Sequence, residues 1–195
     1  MKESTDLLAR IGPRVARKMS KALQSLTAGE LKVEFGNIET FEQSAASIDV
    51  GEKCFGSCVK FRGPGDDLQG AVTALFPRSS VRILIELLLK RYLGNSGKET
   101  VDDQMKLSTF KEATNILLLT HITEIANSLK VRLQPDVPEF LCFDGVRVIE
   151  PGRGSDHSTS HSAVSVADFR ITGGRSRHLI KGIFLLFLTR SSKGG

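Results

Sequence analysis

The sequence contains no tryptophan and one tyrosine, Tyr92. Its basic residues do not alternate with aromatic ones, so it lacks the stacking platform on which single-stranded nucleic acid is held, and nucleic acid is excluded as a partner. No apolar run reaches the roughly 18 residues of a membrane span. The start, MKESTDLLAR, places Glu3 and Asp6 where a secretory signal needs basic and then apolar residues. These absences predict a cytoplasmic protein with no membrane insertion. Cysteine is scarce and odd in number: Cys54, Cys58 and Cys142. CFGSC has one residue too many between its cysteines for the usual redox or zinc spacing, so free, buried thiols are expected.

Other chemistries lack an essential part. His157 and His161 form H-x-x-x-H, but they lie in a serine-rich stretch with only Asp156 beside them, so no metal site is expected. GNSGKET would need a glycine at the position held by Tyr92 to be a phosphate-binding loop. The late serines have no glycine-framed nucleophile elbow.

What is present is positive charge and helical periodicity. The formal charge is +5, with Arg10, Arg14, Arg17, Lys18 and Lys21 crowded near the start and Arg175, Arg177 and Lys181 near the end, a distribution that suits an acidic partner. Leu7, Leu8, Ile11, Val15, Met19, Ala22 and Leu23 recur at spacings of three and four, predicting an amphipathic helix over about Ser4 to Leu26, with Gly12-Pro13 kinking it or delaying its start. A longer helix is predicted from about Asp103 to Lys130, with Phe110, Leu117, Leu118, Ile122, Ile125 and Leu129 facing the core and His121 on the apolar side. LKVEFGNIETF from Leu31 and LKVRLQPDVPEF from Leu129 follow the two helices, and each later contains a Phe-Arg strand end, a glycine-rich turn and an apolar strand. Residues 1–195 therefore read as one domain of two pseudo-repeats, about 1–100 and 101–195. Strands are expected near 30–40, 45–50, 55–62, 69–76, 139–148, 162–171 and 179–189, with a further helix at 79–92. The expected class is α+β: internally duplicated, with a mainly antiparallel sheet and two long helices packed on one face.

Ser108, Glu112 and Asn115 stand at i, i+4 and i+7 of the second long helix, and at 100° per residue they share a narrow stripe beside the apolar face. A carboxylate and an amide thus project together from a rigid rod. On spacing alone, this is also what an ordinary polar helix flank looks like.

The frame Asp or Ser, three residues, Glu, two residues, Asn, then 22 residues and Pro is filled here by Ser108, Glu112, Asn115 and Pro138. With STFKEATNILLLTHITEIANSLKV around it and GDDLQGAVTALFP in the first half, the chain resembles the CheC/CheX/FliY family of chemotaxis phosphatases over nearly its whole length. The resemblance implies a CheC-like fold and hydrolysis of the aspartyl phosphate of a phosphorylated CheY-like receiver domain. It gives Asn115 the role of orienting the attacking water and Glu112 that of engaging the receiver's lysine, with Ile116 and Leu119 as an apolar rim. A neutral amide suits water beside a phosphoryl group, where a carboxylate would repel it. The protein needs no cofactor of its own, since the divalent metal (Mg) belongs to the receiver. In the first half the same frame reads Asp6, Arg10 and Pro13, so that copy of the site is expected to be dead. The resemblance also brings CheD as a further partner and, as the alternative function, a non-catalytic binding or scaffold protein regulating CheD or the receiver.

Overall fold

A computed structural model of the chain describes residues 2–27, 31–42, 47–48, 52–66, 68–93, 101–143, 147–148, 160–173 and 178–191. Helix α1 spans Lys2–Leu26, α2 Arg78–Leu93 and α3 Asp103–Leu129. The strands are β1 Leu31–Glu42, β2 Ser47–Ile48, β3 Cys54–Arg62, β4 Leu68–Pro77, β5 Gln134–Pro135, β6 Glu139–Phe143, β7 Arg147–Val148, β8 Ser160–Gly173 and β9 His178–Ser191. Every described pairing is antiparallel. The main sheet runs β1-β8-β9-β4-β3-β5, with β6 also paired to β3, and β2 pairs β7 in a separate ribbon. The class is α+β with a mainly antiparallel sheet, as the periodicities predict.

Strand alternation explains the layering. Val72, Ala74 and Phe76 of β4 join Phe184 and Leu186 of β9 in the larger core, whereas Leu75, Leu185 and Phe187 enter a smaller cluster on the opposite face. All three helices feed the larger core. From α1 come Ile11, Val15, Met19 and Leu23, all 0% exposed, and from α3 Phe110, Leu117, Leu118, Ile122 and Ile125. The two long helices therefore pack on one face of the sheet. Leu129 is only half-buried against this core, and the side chains of Leu7 and Leu8 lie outside the described residues.

The order of the sheet is palindromic. Exchanging α1, β1, β2, β3 and β4 for α3, β5 with β6, β7, β8 and β9 reverses the strand order onto itself and leaves the β2–β7 pair in place. The LKV match in the sequence does not follow this correspondence. Leu31 opens β1, whereas Leu129 closes α3 and Lys130 is its left-handed cap (φ 55°). The frame that sets Arg10 against Glu112 sets Leu31 against Leu133 instead, at the foot of β5.

Several local expectations change. Helix α1 starts at Lys2 and continues through Pro13, so its start is not delayed. Pro13 is exposed, which leaves the carbonyl that loses its amide partner on the solvated side. Within 45–50 the described residues Ser47–Ile48 form β2, and within 139–148 Glu139–Phe143 form β6, paired to β3, while Arg147–Val148 form β7, paired to β2; the other residues of the two segments lie outside the described residues. Gly65, at φ 69°, makes the left-handed turn between β3 and β4 that residues with a Cβ rarely adopt. The GNSGKET stretch and His157 lie outside the described residues. His161 falls in β8, and its side chain is likewise outside them.

His121 is a core residue, 1% exposed, and neither ring nitrogen has a hydrogen-bond partner among the described residues. It packs between Phe35 (ring centroids 6.3 Å apart) and Phe184 (5.3 Å), on three different elements. Burial without a partner disfavours the imidazolium and brings its pKa from 6.5 down to about 4. Because the folded value is the lower one, the unfolded chain binds the extra proton, and stability falls as pH drops below about 6.5. By pH 5 this loss amounts to about 2 kcal/mol. Urea unfolding at pH 8 and pH 5 tests it: the stability of His121→Leu relative to the parent should rise by about that amount at the lower pH. An equal difference at both would mean that His121 keeps its proton in the fold.

Candidate functional site

Helix α3 is held firmly enough to act as a positioning element. Its first turn is capped by Asp102, whose side chain accepts a hydrogen bond from the Met105 amide at 2.6 Å, and its last by Lys130, whose amide donates to Ala126. Behind the middle of the helix, buried Thr114 is hydrogen-bonded to Ser57 of β3 at 2.9 Å. Phe110 meets Phe76 and Phe140 edge-on, at 5.6 and 6.3 Å between ring centroids. Lys111 lies over the Phe140 ring, with Nζ 5.1 Å from its centroid. The back of α3 is thus fixed to β3, β4 and β6, and its front is open.

On that front stand the residues singled out by the motif. Ser108 and Glu112 are exposed and Asn115 is half-buried. Among the described residues, neither Glu112 nor Asn115 has a side-chain partner. Three positions apart, their Cβ atoms lie about 5–6 Å from each other on one surface. Leu119 continues the stripe by one turn and is 41% exposed, whereas its neighbours Leu117 and Leu118 are buried. Pro138 is half-buried just before β6, two residues from the Phe140 ring that supports Lys111, and joins the site only through that strand.

The flank beside this stripe is formed by α1, which runs antiparallel to α3. Arg10 donates to Ser128 at 3.1 Å, Arg14 lies 3.9 Å from Glu124, and Lys18 donates to the same carboxylate. Glu124 is 3% exposed and also accepts from Asn127 at 3.1 Å. The Lys18 hydrogen bond outweighs burial and, with Asn127, Lys18 and Arg14, holds the Glu124 carboxyl below its ordinary range. Sequence reasoning missed this residue. An acid on the apolar stripe of one helix, opposite a helix with six basic residues, was the available signal.

Between the helices lies an open groove of about 440 Å³, lined by Lys18, Lys21, Ile116, Leu119, Thr120 and Thr123. Ile116 and Leu119, the expected apolar rim, belong to this groove. The degenerate first frame sits elsewhere: Arg10 is tied to α3 near its C-terminal end, Pro13 is exposed, and Asp6 lies in α1 with its side chain outside the described residues.

The geometry can be set beside known structures. FliY from Thermotoga maritima superposes with a TM-score of 0.63 over 98% of this chain and 91% of that one, at 14% identity. CheX from Vibrio vulnificus gives 0.56 over 89% and 95%, at 10% identity. The fold is that of the CheC/CheX/FliY proteins. The CheC-like fold extends to the FliM middle domain of Vibrio alginolyticus, at 0.55 over 93% and 92% with 17% identity. At these identities the likeness is one of fold. No family model and no curated protein matches the sequence.

Within this CheC-like fold, no cluster of metal-ligating side chains occurs among the described residues, and no helix described is long and apolar enough to cross a membrane. The cysteines are free. Cys54 is buried, which pushes its thiol up to about 11, and Cys58 is half-buried and shifted the same way by burial. Cys142 departs from expectation: it is exposed, on strand β6, which among the described strands pairs only with β3.

The α1–α3 seam yields a stability prediction. Glu124→Ala leaves Lys18 and Arg14 without their carboxylate and should cost about 2 kcal/mol in urea unfolding at pH 7, less than a fully buried pair because both cations are about half exposed. Since the folded carboxyl titrates below the unfolded one, this contribution is present above the ordinary carboxylate range and disappears as pH falls through the lowered value. The difference between Glu124→Ala and the parent should therefore shrink in acid. A neutral-pH cost near zero would show that the pair does not hold the seam.

Proposed function

We propose that the chain is a protein phosphatase acting on the aspartyl phosphate of a CheY-type response regulator. The observation that carries this reading is the pair Glu112 and Asn115: both without a side-chain partner and one helical turn apart, on a helix fixed from behind by Thr114, Phe110 and Lys111. A polar pair kept for structure would be engaged within the molecule, as Glu124 is. The CheC-like fold and the Ser108–Glu112–Asn115–Pro138 frame support the same reading.

Catalysis would proceed by positioning. Glu112 engages the receiver's lysine and seats α3 on the rim of the phosphorylated pocket. Asn115 enters and hydrogen-bonds a water in line with the phosphorus. The water oxygen forms a bond to phosphorus as the phosphorus–oxygen bond to the aspartyl carboxylate breaks, and phosphate leaves with the water's proton shed to solvent or to a phosphoryl oxygen. The divalent metal (Mg) that balances phosphoryl charge belongs to the receiver. No covalent intermediate forms on this chain, and orientation of the water together with its partial desolvation lowers the barrier.

The alternative is a non-catalytic binding or scaffold protein regulating the receiver or CheD. It is favoured by the FliM middle domains that share the fold, one of them solved in complex with FliG, and by Arg10 and Pro13 in the first frame.

Phosphate release from a receiver phosphorylated by acetyl phosphate separates the two. The parent protein should accelerate release, and Asn115→Ala should lose about 100-fold in kcat with receiver affinity unchanged, since only the water's position is removed. Glu112→Ala should raise KM as well, and added salt should imitate it in part. An Asn115→Ala protein that hydrolyses at the parental rate would refute the mechanism. Binding without acceleration by the parent would favour the scaffold reading.

A further inference from the structure

From Arg10 to Leu26, α1 carries five basic residues and no acidic one. Three of the five are engaged with α3: Arg10 with Ser128, and Arg14 and Lys18 with Glu124. Arg17 and Lys21 are exposed and have no partner among the described residues. They stand four positions apart, one turn along the same face. Lys21 also forms the wall of the groove whose floor includes Ile116 and Leu119. No acidic residue lines that groove, and the nearest buried carboxylate, Glu124, is already paired.

The groove and the candidate active stripe are continuous. Ile116 follows Asn115 directly, and the groove runs to Thr123, about 12 Å farther along the helix axis. A protein surface centred on Asn115 and covering the usual area, about 800 Å², must extend over it. A second copy of this chain is a poor occupant, because two-fold pairing across the groove would bring Lys21 and Arg17 toward their own counterparts. An acidic surface matches the charge, and an apolar side chain matches the floor.

We infer that the α1–α3 groove is a specificity-determining docking contact for the receiver. It accepts an acidic segment with an apolar side chain: that side chain seats on Ile116 and Leu119, and its carboxylates face Lys21 and Arg17. This inference rests on the phosphatase reading and extends it, since it says which receivers are taken: those with acidic, partly apolar surface beside the phosphorylated pocket. Glu112 and Asn115 act at the pocket itself, whereas Lys21, Arg17 and Leu119 select the protein that brings it.

The test uses the full chain and receiver domains from the same organism, each loaded with beryllofluoride to imitate the phosphoryl group. Kd is measured at 50 and 200 mM salt, and phosphate release in parallel. The double variant Arg17→Glu/Lys21→Glu should weaken binding about 30-fold at low salt, flatten the salt dependence and raise KM, with kcat at saturating receiver within about twofold of the parent. Leu119→Ser should weaken binding about fivefold and keep the salt dependence. Lys90→Glu on α2, a charge reversal outside the groove, should change Kd less than twofold. Circular dichroism establishes that each variant is folded, and since Arg17, Lys21, Lys90 and Leu119 are all exposed, none should disturb the core.

Parental Kd in the double variant, with Asn115→Ala inactive, would overturn the groove and leave the phosphatase reading intact. Full activity in Asn115→Ala would overturn the phosphatase reading. Failure of every receiver to bind would overturn both. A concentration-dependent dimer that disappears in Leu119→Ser would assign the groove to a second copy and overturn the inference.

Discussion

A carboxylate placed on the core side of a helix must find positive charge, and in this molecule Glu124 finds it on the neighbouring helix. Lys18 and Arg14 can meet it only when α1 lies antiparallel along α3 at one register, with Arg10 then reaching Ser128. A buried charge without its partner is costly, so this pairing limits the relative position of the helices far more strictly than apolar contact alone. Much else follows from it. The basic side of α1 is brought next to the open face of α3, the groove acquires two walls, and Leu119 remains uncovered because α1 is held on the Glu124 side.

Chemistry and architecture are distributed unequally over the molecule. The sheet order is palindromic, yet the long helices are seated on different strands, α1 mainly on β1 and α3 on β3 and β4, and among the described residues the unpartnered pair of carboxylate and amide stands on α3. In the corresponding frame of α1, Arg10 has become part of the seam and Pro13 has no hydrogen-bonding side chain. The result is a helix pair with one side open and the other engaged in holding the pair together.

What could be read from the sequence was mostly local. The 3.6-residue stripes of α1 and α3 located both helices, and Ile11, Val15, Met19 and Leu23 are as buried as their spacing implies. Strand alternation located β3, β4, β8 and β9 within a few residues. The shared stripe of Ser108, Glu112 and Asn115 followed from helical geometry and its meaning as a frame from the family resemblance; Ser108 and Glu112 are exposed and Asn115 is half-buried on α3. Misreadings arose where pairing is non-local. Leu31 and Leu129 share a local LKV pattern, but which backbone continues as strand is decided by β8 on one side and by the αL cap at Lys130 on the other. Strand β5 is two residues long and exists because β3 is there to receive it. Glu124 carries no motif; its meaning comes from a helix about a hundred positions earlier in the chain. Cys142 was expected to be buried, and its exposure reflects the edge position of β6, which sequence patterning does not reveal.

The antiparallel seam has a consequence for valency. Because α1 and α3 run in opposite directions, Glu112 and Arg10 stand toward opposite ends of the helix pair, and a frame with both sites intact would offer two separated footholds on one surface. Here there is one. A molecule with a single foothold cannot bridge two partners, gains nothing from their clustering, and responds to their concentration along a simple hyperbola, without the avidity that a paired arrangement would bring. On the proposed function, such a molecule would act on receivers one at a time and leave their spacing undisturbed.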